Sequence, residues 1–403
     1  MKIDVKAIPL ALALGLMACV VPALAFVQYG SGTMDTRNHN GATDGFIKMP
    51  DGRDVYTFGF TNISGLIHYN NLSTAVRSGR AKNHAEFPAP TLDFKEGHNE
   101  YLSLSTLGMA MRPDLFDPHT IHFHGYPNAT PVFDGEPMAS ISVNQGADFT
   151  YFYRLNDPGT YIYHCHREAP EHMEMGMLGN LVVRPLQDDN RVGLVCADGR
   201  AAAGAGSYAG FAYNDGDCST GYDKDILIQF ADIDPAFHDA DSFAQKLPFA
   251  DFVARYSVLN GRGYPDTVDT APITNNASAF SGLLGNYDAQ RIHALMTINR
   301  PGGERVLIIR LSNLSIQNFA TIEIPGLPVQ VIGKDAKFLR RPNGKDLRYY
   351  TSSVLIGPGE SAELRIDTTG VAAGTYYLYS RNLDELHADQ MDRSGAMTEI
   401  RIN

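Results

Sequence analysis

The chain has 403 residues, and its 45 acidic residues against 33 Lys and Arg give a formal net charge of −12. The length suits two domains of ordinary size. The acidic balance excludes a nucleic-acid-binding role on electrostatic grounds and favours cationic partners. A content of 38 Gly, 22 Pro and 20 Tyr with no Trp favours many strands and turns.

The N-terminus predicts a cleaved signal peptide over residues 1–25. Two lysines precede an apolar run over residues 7–21, and Ala23-Leu24-Ala25 offers a small-residue cleavage site. The apolar run is short for a membrane span, so we expect a periplasmic or secreted protein. A lipoprotein anchored through Cys19 is the alternative, although Met17 fits that motif poorly.

Two histidine clusters mark the following segment, HTIHFHG at 119–125 and YHCHREAPEHMEMGM at 163–177. Two imidazoles, one thiolate and a long, weak thioether hold copper in a type 1 electron-transfer site. The sequence offers this set as His119, Cys165, His172 and Met177, with Met175 as a competing axial ligand.

The other histidines of the clusters form two His-x-His pairs, His122 with His124 and His164 with His166. On a strand, residues i and i+2 share a face, so the four imidazoles predict a second copper centre. Cys165 points the opposite way from its neighbours, and a few covalent bonds would join the two centres. We therefore predict His164, Cys165 and His166 as the catalytic electron path. The alternatives are ordinary surface histidines with a buried, unreactive cysteine, or a second centre that is partly or wholly unoccupied.

These motifs resemble those of the multicopper oxidases, a broad group that also includes the copper nitrite reductases. The resemblance implies that HxxHxHG supplies one type 1 ligand and two ligands of an oxygen-reducing cluster, and that HCH with a spaced histidine and methionine supplies the rest. It assigns to a type 2/type 3-like copper site the residues His122, His124, His164 and His166. One departure is the separation of seven positions between Cys165 and His172, which is longer than in the usual laccase motif.

An internal repeat predicts an all-β fold of two tandem cupredoxin-like Greek-key β-sandwich domains. Short β-rich runs alternate with turns over residues 101–185 and again over 226–403. DPHTIHFHG aligns with NFATIEIPG, and the GTY at 159–161 aligns with that at 374–376. We expect a copper-bearing domain at 26–190, a Gly/Ala-rich linker at 191–225 and a second domain at 226–403.

The second copy of the repeat has lost the ligand pattern. Its residues at the positions of His119, His122 and His124 are Ala320, Glu323 and Pro325, and Tyr379-Ser380-Arg381 replaces His164-Cys165-His166. A family-type cluster takes histidines from two domains, so the missing ligands would come from a symmetry-related first domain, a different polypeptide or a smaller copper complement. The downstream histidines are His238, His293 and His387. His387 lies near the interfacial type 2 position of the nitrite reductases, although the alignment puts that position nearer Arg381.

Two further cysteines, Cys196 and Cys218, flank the Gly/Ala-rich segment. In an oxidising compartment we expect them to form a disulfide, which would stabilise the fold by roughly 3 kcal/mol through its loop length. Two free thiols are the alternative.

Three functions are compatible with this pattern. The first is a copper oxidase, in which a reductant loses one electron at a time at the type 1 copper and oxygen is the acceptor at the second site. The second is a non-enzymatic type 1 electron carrier or copper-binding protein. The third is a copper nitrite reductase. It is disfavoured because His122 stands where that family has its catalytic aspartate. By analogy with two-domain members, we expect a homo-oligomer, a trimer.

The sequence leaves three classes of reductant: a metal ion, a small organic molecule such as a phenol, and a redox protein such as a basic cytochrome. Acidic residues follow the ligand cysteine at Glu168, Glu171 and Glu174. Thioethers that suit Cu(I) occur at Met109, Met111, Met138, Met173 and Met175. The alternative is that the methionines fill gaps in a core and the glutamates solvate a loop.

Overall fold

A computed structural model of the chain describes residues 35–64, 81–275 and 287–403. The predicted signal peptide and Cys19 lie outside the described residues. The described residues belong to one structural unit. Within the described ranges, no helix has both the length and the apolar character needed to cross a membrane.

Strands dominate the described residues. The first eight are β1 (Asp35–Lys48), β2 (Asp54–Asn62), β3 (Ala89–Lys95), β4 (Asn99–Gly108), β5 (His122–His124), β6 (Asp148–Arg154), β7 (Gly159–His164) and β8 (Leu178–Arg184). They are followed by β9 (Gly210–Phe211), β10 (Gly221–Tyr222), β11 (Lys224–Ile233), β12 (Tyr256–Leu259), β13 (Ile273–Asn275), β14 (Tyr287–Gln290), β15 (Met296–Ile298) and β16 (Val306–Asn313). The last are β17 (Ala320–Glu323), β18 (Val329–Lys334), β19 (Lys337–Phe338), β20 (Tyr349–Thr351), β21 (Ser353–Ile356), β22 (Ser361–Asp367), β23 (Gly374–Ser380) and β24 (Met397–Ile402). The α-helices are α1 (Ala169–Glu174) and α2 (Pro235–Ser242).

The first sandwich is built from two four-stranded sheets with the strand orders β2-β1-β4-β6 and β3-β8-β7-β5. β1 runs parallel to β4, and β3 runs parallel to β8, so each pair requires a crossover between the sheets. Alternate side chains from both sheets meet in one core, which includes Phe58, Leu104, Phe123 and Leu181. The period-2 alternation of apolar residues therefore gives a face-to-face sandwich.

The second sandwich repeats this plan. One sheet has the order β12-β11-β16-β22-β18-β19 with β20 beside β18, and the other has the order β15-β24-β23-β17-β21. Its core is aliphatic and includes Ile309, Val331, Leu364 and Ile400. The prediction of an all-β fold with two tandem cupredoxin-like sandwiches is confirmed.

The Gly/Ala-rich segment packs against the second sandwich. It carries the short β9–β10 hairpin, and its buried Tyr213 and Tyr222 share a cluster with Val306 and Ile308 of β16. Cys196 and Cys218 are joined there, with 2.01 Å between their sulfur atoms. The segment is thus a folded lobe.

Polar contacts fix β7 against the second sandwich. Thr160 donates its backbone N–H to Glu363 Oε1 at 3.0 Å, and Ser361 Oγ donates to the Thr160 carbonyl at 2.7 Å. Asp225 of β11 contacts the guanidinium groups of Arg184 and Arg310. Because β7 leads directly into Cys165, these contacts position the segment that carries the candidate ligands.

Candidate copper centre

Strand pairing brings the two histidine clusters together. β5 and β7 are antiparallel neighbours, and His122 lies directly opposite His164 in their register. After β7 the chain turns through α1 and returns as β8. Cys165 N donates to the Met177 carbonyl at 3.0 Å, and Met177 N donates to the His172 carbonyl at 2.8 Å. These bonds fold the ligand loop back on itself.

The first cluster consists of His119, Cys165 and His172, each of which offers a ligand atom within 4.8 Å of the others. Cys165 Sγ lies 3.2 Å from His172 Nδ1, and all three side chains are at most 1% exposed. His119 is held by a pair of backbone hydrogen bonds with Val143. This is a buried donor set of two nitrogens and one sulfur.

Met175 and Met177 are both fully buried beside this set. The backbone of Met177 bonds to both Cys165 and His172, whereas the Met175 carbonyl accepts hydrogen bonds from Phe58 N and Thr57 Oγ1 of β2. The backbone of Met177 thus lies directly against both Cys165 and His172, whereas that of Met175 is tied to β2.

Electrostatics favour the metal-binding forms of two of these side chains. Burial, with the charge of His172, lowers the pKa of His119 well below its usual value, so His119 is neutral. Burial would raise the pKa of the Cys165 thiol, but the charge and hydrogen bond of His172 outweigh it and lower that pKa. Burial lowers the pKa of His172, but Cys165 and Asp117 raise it to about 10. Metal binding at this set would release that proton.

The second cluster gathers all four histidines of the His-x-His pairs. The His122 ring centroid lies 5.3 Å from that of His164 and 4.9 Å from that of His166, and His124 Nδ1 lies 3.4 Å from His164 Nε2. Burial, together with the neighbouring imidazoles, lowers the pKa of His164 to about 3, which keeps it neutral.

Hydrogen bonds orient two of these rings. His122 Nδ1 lies 2.6 Å from the Asp134 carbonyl oxygen, and His164 Nδ1 lies 2.8 Å from the Cys165 carbonyl oxygen. A carbonyl only accepts, so both Nδ1 atoms carry the proton and leave Nε2 as the ligand atom. Such outer contacts are typical of metal-binding histidines.

The chemistry of both sets fits copper. In the first, His119 Nδ1 is a buried atom with no hydrogen-bond partner among the described residues, and two imidazoles with a thiolate and a thioether are the donors of a type 1 site. In the second, the imidazoles of His122, His124 and His164 have ligand atoms within 4.8 Å of one another, and imidazole also suits copper.

A cavity of about 280 Å³ opens beside His124 between the two sandwiches. The second sandwich lines it with Asp335, Gly359 and Glu360. A side chain at Gly359 would lie 3.1 Å from the His124 ring. The cavity thus gives small molecules access to His124.

The equivalent place in the second sandwich has kept its backbone and changed its side chains. Ser380 N donates to the Ala396 carbonyl at 3.0 Å, as Cys165 N does to Met177, and Glu323 lies opposite Tyr379 as His122 lies opposite His164. Ser380 Oγ donates to Glu385 where Cys165 contacts His172. Among the residues that the structure describes, the groups able to hold a metal all fall within 117–172.

The downstream histidines lie apart from these clusters. His387 Nδ1 is 3.0 Å from a carboxylate oxygen of Asp392. His238 is buried with its Nε2 3.4 Å from Glu174, and His293 lines a separate cavity with Arg291. None of the three belongs to a ligand group in the described ranges.

Asp117 is a neighbour that the sequence analysis missed. Its Oδ2 lies 3.9 Å from His172 Nε2, and Asp117, Glu168 and His172 form a further group whose ligand atoms lie within 4.8 Å of one another. Its place two positions before His119, in DPHTIHFHG, was the available signal, because residues i and i+2 share a face in an extended segment.

Two β-sandwiches with a buried His-Cys-His set beside a four-histidine cluster define a cupredoxin-type copper protein. A family model described as multicopper oxidase matches residues 71–188. Copper resistance protein A of Pseudomonas syringae pv. tomato is 26% identical over 332 residues, which is 76% of this chain and 47% of that protein. Multicopper oxidase VdtB of Byssochlamys spectabilis is 31% identical over 105 residues, which is 26% of this chain and 14% of that protein.

Among solved structures, blue copper oxidase from Nitrosomonas europaea superposes with a TM-score of 0.60 at 21% identity, covering 91% of this chain and 86% of that one. The chain shares the fold of that oxidase, and its residues 71–188 match the multicopper oxidase family model. It spans about half the length of copper resistance protein A, and its match covers a smaller share of VdtB.

Proposed function

We propose that this protein is a copper-dependent oxidase that removes electrons singly from a reductant and delivers them to oxygen. The observation that carries the proposal is the position of Cys165, which touches His172 at 3.2 Å on one side and has two members of the four-histidine cluster as its chain neighbours. When bound, copper would supply one-electron redox chemistry at the first set and oxygen reduction at the second.

The protein's own residues serve this chemistry in three ways. His119, Cys165, His172 and Met177 would hold the first ion away from water, since all four are buried. The backbone of residues 164–166 would link the two sets through a few covalent bonds. The cavity beside His124 would admit oxygen. Asp335 and Glu360 line this cavity, and their carboxylates would exchange protons with bound water there.

For the reductant we propose a metal cation. Glu168 is exposed and Asp117 is partly exposed, and both offer a carboxylate oxygen within 4.8 Å of a ring nitrogen of the buried His172. Asp117 lies at His172 Nε2, an atom without a hydrogen-bond partner in the described residues. Carboxylates at this nitrogen would hold a cation one imidazole ring away from the first copper set. Of the nearby methionines, Met109 and Met175 are buried in the core, so they do not face a cation that arrives from solvent.

We further propose that the protein is exported and that a second copy of the chain completes the four-histidine site. Support for the second point is the absence of histidines from the equivalent positions of the second sandwich, which carry Glu323, Pro325, Tyr379 and Arg381. The assembly we propose is a closed homo-oligomer, and a trimer is expected by analogy with two-domain members of the family.

The deciding experiment is metal analysis with electron paramagnetic resonance on the copper-loaded protein. More than one copper per chain, both type 1 and type 2 signals and oxygen consumption are expected for the oxidase. About one copper with no oxygen consumption would instead make the protein an electron carrier. The absence of a type 1 signal after full loading and oxidation would refute both functions.

The reductant is tested by steady-state oxidation of Cu(I) or Fe(II) and of a neutral phenol by Asp117→Asn and Glu168→Gln. We expect kcat/KM to fall for the metal ions and to change little for the phenol. Asp392→Asn, which removes an 85% exposed carboxylate, is the matched control. Equal losses for both substrate classes would contradict a cation site.

A further inference from the structure

The short helix that carries His172 ends in a buried carboxylate that reaches into the second half of the chain. Glu174 is the last residue of α1 and is 2% exposed. Its Oε1 accepts a hydrogen bond from the backbone N–H of Asp234 at 2.7 Å. Asp234 is the N-cap of α2, where its own side chain accepts a hydrogen bond from Ala236 N.

The same carboxylate faces a buried histidine of α2. His238 is fully buried, and its Nε2 lies 3.4 Å from Glu174 Oε1. Its other nitrogen, Nδ1, lies 2.5 Å from the Tyr56 carbonyl of β2, to which it donates. His238 therefore connects the ligand helix to β2 through α2.

The ligand loop is consequently held from two sides. Glu174 fixes its helix to the start of α2, and the carbonyl of the next residue, Met175, is bonded to Phe58 N and Thr57 Oγ1 of β2. Both anchors lie between His172 and Met177. A displacement of either anchor would move these two candidate ligands relative to Cys165.

Burying a carboxylate is expensive unless it is paired and hydrogen-bonded, so an apolar residue would give a simpler contact between α1 and α2. Glu174 also fixes a geometry. Because its carboxylate accepts a hydrogen bond from Asp234 N, the end of α1 is held at one position relative to α2. Buried polar contacts of this kind can specify geometry rather than stability.

We propose that Glu174 is a positioning residue for the type 1 copper, and that the second half of the chain contributes to this site by anchoring the ligand helix through Asp234 and His238. This gives the second half a role in the copper chemistry although its own equivalent positions hold Ala320, Ser380 and Ala396. The inference rests on the proposed type 1 site.

The test compares copper-loaded Glu174→Ala and Glu174→Gln with the unaltered protein. Glutamine keeps the acceptor oxygen and the shape, so its type 1 electron paramagnetic resonance spectrum, visible absorption and midpoint potential should stay close to those of the unaltered protein. Alanine removes the anchor, and we expect altered copper hyperfine coupling, a shifted potential and a 10- to 100-fold loss of copper affinity, as for other outer contacts of metal ligands.

Asp239→Ala is the control, because Asp239 lies on the same helix α2 and pairs with Arg53 at a half-exposed position. Its spectrum and potential should be unchanged. Circular dichroism establishes folding, and His238→Gln is used by the same criteria if Glu174→Ala does not fold.

A folded Glu174→Ala or His238→Gln protein with the unaltered type 1 spectrum and potential would overturn the positioning role, even if it were less stable to denaturant. That result differs from the failure of the proposed function, in which the unaltered protein itself would show no type 1 signal.

Discussion

Cys165 Sγ and His172 Nδ1 lie 3.2 Å apart, although the two residues are seven positions apart in the sequence. The contact exists because α1 occupies the loop and the Met177 amide closes on the His172 carbonyl. The long ligand spacing is thus accommodated by one turn of helix, and the donor atoms still converge.

Cys165→Ser should abolish the intense visible absorption and the type 1 signal of the copper-loaded protein, because a hydroxyl does not supply the thiolate ligand. Copper at the four histidines should remain and give a type 2 signal. Oxygen consumption with any reductant should stop. Retention of the visible band in a folded Cys165→Ser protein would contradict the assignment of this thiol.

Met177→Leu and Met175→Leu form a matched pair, since both side chains are fully buried and a Met-to-Leu change usually costs less than about 1.5 kcal/mol. Removal of an axial thioether changes the potential of a type 1 site. We therefore expect Met177→Leu to raise the midpoint potential and Met175→Leu to leave it nearly unchanged, as measured by redox titration. The reverse pattern would make Met175 the axial ligand.

The histidine clusters and the repeat were predictable from sequence because strand periodicity and ligand spacing are local. His122 and His124 share a face by the i, i+2 rule, and the pairing of β5 with β7 places His122 opposite His164. The alignment also anticipated Ser380 at the position of Cys165. The residue of the second sandwich that corresponds to Met177 is Ala396. It could be identified only from the structure, through the pairing of β23 with β24 and the hydrogen bond from Ser380 N to the Ala396 carbonyl.

Contacts between distant segments were not predictable in this way. Glu174 appeared as one of several loop glutamates, and nothing in its neighbourhood indicated that it would meet Asp234 and His238. The Gly/Ala-rich segment was interpreted as a linker from composition, whereas its tyrosines bury against β16. Such contacts depend on how the two sandwiches pack, which composition and periodicity do not encode.

Asp225→Asn should lower the free energy of unfolding by about 3–5 kcal/mol, because it leaves a buried guanidinium without its charged partner. Asp225 Oδ2 lies 2.8 Å from Arg310 Nε, and Arg310 is fully buried. Urea titration followed by circular dichroism measures the change. Asp346→Asn removes a comparable pair with Arg348 at an exposed carboxylate and should lower the free energy of unfolding by less than about 1 kcal/mol. Equal losses of unfolding free energy in the two variants would contradict the larger contribution expected from the buried Asp225 contact.

The Asp225 carboxylate also predicts how the stability of the protein depends on pH. Burial would raise the pKa of Asp225, but the charges of Arg310 and Arg184 outweigh it and hold the pKa below its usual value. A depressed pKa contributes stability that is present above the unfolded-state value of about 3.9 and is lost as the pH falls through the folded-state value. The difference in unfolding free energy between the unaltered protein and Asp225→Asn should be constant near neutrality and shrink below about pH 4. A difference that grew on acidification would contradict this sign.

Replacement of both disulfide cysteines by serine should destabilise the protein by about 3 kcal/mol, since the bridge closes a loop with a sequence separation of 22. The cysteines are nearly buried in a cluster that packs on β16, so the loss should appear in the unfolding of the second sandwich. The copper sites lie in the other sandwich, and the type 1 spectrum of the folded variant should be unchanged. Urea unfolding with and without a reductant provides the measurement, because reduction should weaken the unaltered protein to the level of the variant and have no effect on the variant itself. If reduction does not change the free energy of unfolding of the unaltered protein, the disulfide does not stabilise it by the amount expected from its loop length.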